Sequence, residues 1–570
     1  MKPFEAIRSI NSEQGVALVL ALLAMLILSL FGLTLLGIGM TEVTIESNWE
    51  DYSGAFYAAE AGLESGLVNL RGLLTQTPNP TAADLATIQT PPTLSSSQFS
   101  FDTFQVQPAG PTYPTVLASG GFQGLQAFAT DYLINAEVSG PGGTKANLTR
   151  VLQYVSVPLF QFGAFYGKGV DLEIAPGPLM TFNGPLHANS DIYLAAGSGL
   201  NIDAALTSAG KIYRRLKRDA AIPYGNNPQI KDANGAYQTL DFDHDYEPGF
   251  ANPWSESDWA SAANSRFGGQ VQDSTMGIQE ITPPLPDLFN DPANPDVVSH
   301  QLIEPGIPQD SQAMQEAKLY YKAGLRLTQS GQARDENGMP VNLNSCDPNT
   351  VTTKTFYDAR EGQDVKVTEV DIALLDACGK APANGILYVD GWDGVPPRGG
   401  GVRLVNGSQL PSQGLTVVSE DPVYIQGDYN SIGKVPASVL ADAITVLSNN
   451  WRPNNSDSVT TDLGADRPAS ATTVNAAFAL GPSAESTLGQ GNGQLENVIR
   501  FLEDWGGVDF NYSGSIIALW HSQNATAPWA CCNYYRPPNR NWSFDPDLNA
   551  SQPPGAPAGI VLVKGRWSRK

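Results

Sequence analysis

The sequence is short of charge. Asp, Glu, Lys and Arg make up 16% of its 570 residues, against roughly a quarter in an average soluble chain. The charge present leans acidic, with 57 Asp and Glu against 33 Lys and Arg and a formal net charge of −24. Such a surface repels nucleic acid, which is therefore not expected as a partner. Histidine is scarcer still. His187, His244, His300 and His521 stand apart from one another, and neither H-E-x-x-H nor G-x-S-x-G occurs. No specific catalytic constellation emerges, so neither enzymatic activity nor a cofactor is expected. Asp390, Asp393, Glu420, Asp421 and Asp428 are the carboxylates that a polymer-modifying chain would have available.

Cysteine is equally sparse: Cys346, Cys378, Cys531 and Cys532. Their spacings match no zinc pattern. Cys346 and Cys378 would close a loop worth about 3–4 kcal/mol in unfolded-state entropy. The adjacent Cys531 and Cys532 would form a vicinal bridge or pair elsewhere. Four cysteines allow three connectivities, and all remain open. Asp241, Asp243 and Asp245 alternate like the start of a calcium loop, but Tyr246 stands where the glycine is needed and Asn252 where the closing glutamate is needed. They remain weak candidates for a non-standard metal site, and no metal is expected.

Turn formers, by contrast, are plentiful, with 56 Gly and 42 Pro. Low charge, many turns and many aromatics describe an exported β-rich protein rather than a helical cytosolic one. One stretch breaks that texture. Residues 16–40, VALVLALLAMLILSLFGLTLLGIGM, carry no charge and no proline. A helix of that length crosses the ~30 Å hydrocarbon core of a bilayer. Lys2 and Arg8 precede it and the next basic residue is Arg71, so the N-terminus is expected in the cytoplasm and the remainder outside. The run is long for a secretory signal and no A-x-A cleavage site follows it.

The next stretch, 41–74, is a different kind of helix. Phe56, Ala59, Leu63, Leu67, Leu70 and Leu74 recur at three and four residues, while Glu46, Glu50, Glu60 and Glu64 take other positions. The pattern predicts one continuous helix, apolar throughout its first half and one-sided in its second.

The Gly15 junction, the apolar helix and the motif AFYAAEAGLE at 55–64 together resemble the N-terminal module of PilX-type minor pilins, and more distantly the type II secretion pseudopilins. The resemblance implies that a prepilin peptidase cuts after Gly15, leaving Val16 as an N-methylated first residue. It implies that the helix leaves the inner membrane to pack with other minor and major pilins. Major pilins carry a glutamate five residues into the mature chain; here that position is Leu20. A subunit without this carboxylate fits an initiating or capping place in a filament. The competing reading is an uncleaved single-pass envelope protein with a polymer-binding or polymer-modifying ectodomain.

After a Thr-, Pro- and Ser-rich linker at 75–100, segments 101–108, 115–122, 126–140 and 148–158 alternate with period two between Gly- and Pro-containing turns. They predict a small antiparallel sheet packed on the outer half of the helix. From Phe160 very short strand-like segments follow one another, and the texture returns after 385. Short rungs with small corner residues suggest an irregular β-solenoid. Between the two parts, 217–384 is polar and loop-rich, with helices expected at 311–325 and 371–378, and is the candidate for a distal binding lobe. Near the C-terminus 492–505 reads as an amphipathic helix, followed by aromatic-rich loops.

The expected fold is therefore α+β. A leader (1–15) is followed by the membrane and pilin helix (16–74), then by linker and sheet (75–158). The head comprises a first solenoid part (159–216), the insertion (217–384) and a second solenoid part (385–570). The expected role is structural: a minor pilin-like subunit of the inner membrane that initiates or caps a filament and meets an extracellular surface or polymer through its head.

Overall fold

A computed structural model describes residues 13–569 except 118–121, 218–224, 287, 289–292, 329–330, 392–398, 453–466, 485–491 and 531–533. Lys2 and Arg8 of the leader, Asp393, Cys531 and Cys532 lie outside the described residues. A single helix, Glu13–Gln76, runs for 64 residues, roughly 95 Å at 1.5 Å per residue. From 15 to 50 nearly every residue is exposed. Beyond that, Ala59, Leu63, Leu67, Leu70 and Leu74 are buried at the spacing read from the sequence, while at the start of the series Ala55 is buried and the expected Phe56 is only half-buried.

These residues pack on an antiparallel sheet in the order Ser100–Pro108, Gln126–Ser139, Lys145–Pro158 and Ala558–Arg569, with Tyr113–Val116 also paired to Gln126–Ser139. The two central strands serve two cores. Ile134, Ala136, Val138, Leu148 and Leu152 face the helix. At the other end Ala127, Ala129, Val155 and Val157 enter the core of the head. The same two strands thus contribute to the core under the helix and to the core of the head. The last strand, Ala558–Arg569, comes from the segment expected to lie wholly in the head and instead pairs along Lys145–Pro158.

In the head the chain visits several sheets in turn. Ala164–Tyr166, Leu172–Ile174 and Met180–Phe182 are followed by Leu186–Ala188, Ile192–Leu194 and Leu200–Ile202, each pairing in parallel with its counterpart in the next or preceding round. Parallel pairing of short, apolar, doubly buried strands explains the near-continuous hydrophobic segments. The longest sheet has twelve strands. From one end it runs through Val271–Gln272, Leu206–Ser208, Leu186–Ala188 and Ala164–Tyr166. It then passes to Ile516–Ala518, Ala477–Ala479, Ala437–Leu440, Leu415–Val418, Ile386–Val389 and Leu325–Leu327, before two antiparallel strands. The first strand of the head therefore lies against one of its last. Both chain connections to the helix module leave from the middle of the stack. The remaining sheets stay separate from this one.

Through its described residues the 217–384 segment is joined to the sheets of the head. Its strands Val271–Gln272 and Leu325–Leu327 extend the long sheet at either end. Ile278, Ile281, Leu285, Leu302, Ile303 and Leu319 cover the sheet's outer face beside Phe165, Tyr388, Val418 and Ile517. The expected 311–325 helix is broken into Gln312–Ala317 and Leu319–Lys322 by Lys318, which is extended at ψ 131°. The Lys318 ammonium is buried and satisfied by Asp310 at 3.0 Å and the Pro305 carbonyl at 3.2 Å, an arrangement a continuous helix would not permit. The 371–378 expectation corresponds to Ile372–Ala377, capped by Asp371. The 492–505 helix does not form. A 3-10 turn, Leu495–Asn497, leads into the strand Arg500–Phe501, which pairs with Thr445 and Val446. Leu495, Val498, Ile499, Phe501 and Leu502 are all buried, and an apolar run buried on every side carries no reliable period.

Candidate assembly site on the N-terminal helix

The first half of the helix is built for an apolar medium. Its exposed side chains include Val16, Leu20, Leu26, Phe31 and Leu36. Its threonines are satisfied internally: the Thr34 hydroxyl donates to the Leu30 carbonyl at 2.8 Å and Thr41 to Gly37 at 2.8 Å, so neither needs water. This is one helix long and apolar enough to cross a membrane. Gly15 has no heavy atom near the position a Cβ would take, and Val16 and Leu20 are 59% and 62% exposed.

The second half carries the motif at 55–64, and its composition has a steric cause. Gly54, Ala58, Gly62 and Gly66 recur every fourth residue and so share one stripe. A Cβ on Gly62 would lie 2.6 Å from the Phe101 ring, and one on Gly66 would lie 2.7 Å from Ile134 Cγ2. The small stripe lets the helix settle onto Phe101, Phe104 and Ile134. The helical periodicity marked the leucines but passed over these glycines, whose four-residue spacing was the available signal.

A second set of contacts fastens the helix to the C-terminal strand. Glu64 pairs with Arg150 of the neighbouring strand, and Lys564 Nζ lies 3.0 Å from Glu64 Oε1. The hydrogen bond from Arg150, helped by Lys564, holds the Glu64 carboxyl below its ordinary range against the opposing effect of burial. About two turns toward the N-terminus, Phe56 meets Trp567 edge-on with ring centroids 5.4 Å apart. The Arg569 guanidinium sits 4.8 Å over the Tyr52 ring. Tyr52, Phe56 and Glu64 thus form one stripe gripped by Lys564, Trp567 and Arg569. Trp49, Tyr57 and Val68 remain 65–69% exposed.

The other residues singled out from sequence occupy structural places. Cys346 and Cys378 form a disulfide. Asp241 is paired with Arg266, and Asp243 and Asp245 both reach Arg215, at 3.0 and 2.5 Å. Guanidinium groups therefore occupy the carboxylates considered for a cation. Among the described residues no group of three or more His, Cys, Asp or Glu is placed to hold a metal ion. His187 is buried between Thr207 Oγ1 at 2.9 Å and Asn189 Oδ1 at 3.0 Å, and burial lowers it to about 4. Asp428 Oδ1 accepts from the Thr473 amide at 2.8 Å and anchors a corner. Asp390, Glu420 and Asp421 lie close enough to the buried Tyr388 to raise its hydroxyl further, after burial itself.

An exposed apolar helix, long enough to cross a membrane, continues as a one-sided helix docked on an antiparallel sheet. Residues 14–64 match the family described as PilX N-terminal, and the match ends at Glu64, the residue held by Arg150 and Lys564. The module is thus of the PilX minor-pilin kind, which associates it with the type IV pilus system. No similarity to a curated protein or to a solved structure is found.

Proposed function

We propose that this protein is a minor type IV pilin-like subunit that initiates or caps a pilus or pseudopilus and presents a large head to a surface or partner. The observation that carries this reading is the coincidence of the family match at 14–64 with a helix exposed along its apolar half and clamped to a sheet along the rest. In this reading the chain spans the inner membrane once with its N-terminus in the cytoplasm. A prepilin peptidase cuts between Gly15 and Val16, and the freed helix packs among other minor and major pilins. Leu20 places an aliphatic side chain where a bulk subunit would need a paired carboxylate, which favours a terminal position, since a buried carboxylate is tolerated only with a partner. The repeated return of the chain to parallel sheets supports reading the head as an irregular β-solenoid.

N-terminal mass spectrometry of the membrane-extracted protein tests the proposal. A mature chain beginning at N-methylated Val16 is expected. An intact Met1 start in cells with an active prepilin peptidase would overturn it and leave an uncleaved envelope protein.

A further inference from the structure

The head contains a cavity of about 460 Å³ far in sequence from the helix, between the Ala175–Met180 corner and the residues flanking Leu495. That size falls within the ~300–1,000 Å³ typical of small-molecule sites. Trp529 and Met180 supply apolar wall, and Gln494, Glu496, Asn497 and Arg540 supply polar groups. The Trp529 indole is tied by its Nε1–H to the Tyr535 hydroxyl at 2.9 Å and lies over Gly493, where any Cβ would come within 2.9 Å of Cγ. Its ring is therefore fixed in place. Arg540 donates to Asn497 Oδ1 at 2.6 Å, while its buried Nε–H has no hydrogen-bond partner among the described residues.

Two further features set this cavity apart from a packing gap. Gln494 has φ 58° and ψ −178°, a region that only glycine ordinarily occupies and that costs about 1–3 kcal/mol for other residues. Glu496 is 4% exposed, and its Oε2 accepts from the Ala175 amide at 3.3 Å. Burial pushes its carboxyl up to about 7, with Arg540 partly opposing. Near neutrality this group both accepts and donates hydrogen bonds. As pH rises above 7 the Glu496 carboxylate comes to balance the Arg540 guanidinium, so the cavity keeps no large excess of either charge to select an ion. A fixed aromatic wall beside amide, carboxyl and guanidinium groups suits a ring with an apolar face and a hydroxyl edge.

We infer that this cavity binds a neutral saccharide residue of an extracellular glycan, with Trp529 beneath the sugar ring and Glu496, Asn497 and Arg540 on its hydroxyls. The inference goes beyond filament assembly and does not depend on it: a chain that kept its Met1 start would bind the sugar equally.

The test uses the full chain in a detergent without a sugar headgroup. Cellohexaose, chitohexaose and hexagalacturonate are titrated while tryptophan emission and direct binding are followed. Saturable binding of at least one neutral hexaose is expected. Trp529→Ala should weaken it by about tenfold or more, the scale of losing a central aromatic contact. Trp529→Phe, which keeps an aromatic face but not the bond to Tyr535, should retain most of the affinity. Glu496→Ala should also weaken binding; because it takes the counter-charge from the buried Arg540 and the acceptor from the Ala175 amide, Glu496→Gln, which keeps an acceptor oxygen, is titrated beside it and the melting temperature of both is measured. Binding of none of the three, binding of hexagalacturonate alone, or equal neutral-sugar binding by Trp529→Ala and Glu496→Ala would overturn the inference.

Discussion

Glu64 and Lys564 are 500 residues apart in the chain, yet Lys564 Nζ lies 3.0 Å from Glu64 Oε1. The same carboxylate meets Arg150, whose side chain is only 6% exposed. The two cations are not equivalent. Lys564 is 42% exposed, and an exposed pair contributes about 0–1 kcal/mol. Removing the carboxylate, however, strands a buried guanidinium. Glu64→Gln is therefore expected to destabilise the helix module by about 2 kcal/mol, and Lys564→Ala by less than about 1 kcal/mol. Denaturant unfolding of the two variants checks the order; equal losses would show that Arg150 does not depend on Glu64.

The glycine stripe predicts a position-specific effect along one helix. Gly62→Leu forces a side chain into Phe101 and Ala136, and overpacking of this kind costs about 1–3 kcal/mol. Gly72, in the same helix, has nothing within 4 Å of its would-be Cβ, so Gly72→Ala should instead stabilise by up to about 1 kcal/mol through helix propensity. Limited proteolysis between the helix and the sheet should become faster in the first variant and no faster in the second. A Gly62→Leu protein as resistant as the parent would mean that the helix can stand off the sheet.

What the sequence made legible follows from how local each signal is. The helix through 74 and the strands of the sheet depend on periods of 3.6 and 2 within single segments, and Ala59, Leu63 and Leu67 indeed face Ile134, Ala136 and Val138. The fourth strand, Ala558–Arg569, could not be placed, because nothing near residue 560 states that its partner lies at 148–158. In the head, the strand 500–501 was read as helix because Val498, Ile499, Phe501 and Leu502 are buried all round. The cavity is not legible for a related reason: Glu496 and Arg540 belong to no motif, and only the fold brings the 3-10 turn Leu495–Asn497 beside the strand Asn539–Phe544.

The buried His300 predicts a pH dependence. It sits against Trp520, with Nδ1 3.0 Å from Glu304 and Nε2 3.3 Å from the fully buried Asp442. Burial disfavours its charge, but Asp442 and Glu304 outweigh burial and push it up to about 9. A histidine raised in the folded state stabilises fully below its unfolded value near 6.5 and loses that contribution as pH rises to about 9. The loss is up to about 3 kcal/mol. Unfolding curves at pH 6.5 and 9 should show this decline in the parent and a flatter response in His300→Gln, whose overall stability is lower because Asp442 has lost its cation. An unchanged slope in the variant would assign the decline to other groups.

The Cys346–Cys378 disulfide predicts a local rather than a global effect. The two cysteines are 32 residues apart, and the chain between them forms an antiparallel hairpin, Val351–Asp358 with Gln363–Asp371. The second strand of that hairpin pairs in parallel with Gly399–Val405 and opens the six-stranded sheet. Closing a loop of this size contributes about 3–4 kcal/mol by restricting the unfolded chain. The hairpin lies at one edge of its sheet, whereas strands such as Ala477–Ala479 and Ile516–Ala518 lie in the middle of the twelve-stranded one. Reduction, or Cys346→Ser with Cys378→Ser, should therefore speed amide exchange across 351–371 and leave 477–479 and 516–518 protected, since opening proceeds by local cooperative units. Uniform loss of protection would show instead that the head unfolds as one unit from this edge. No change across 351–371 would show that the hairpin is held by its strand pairing alone.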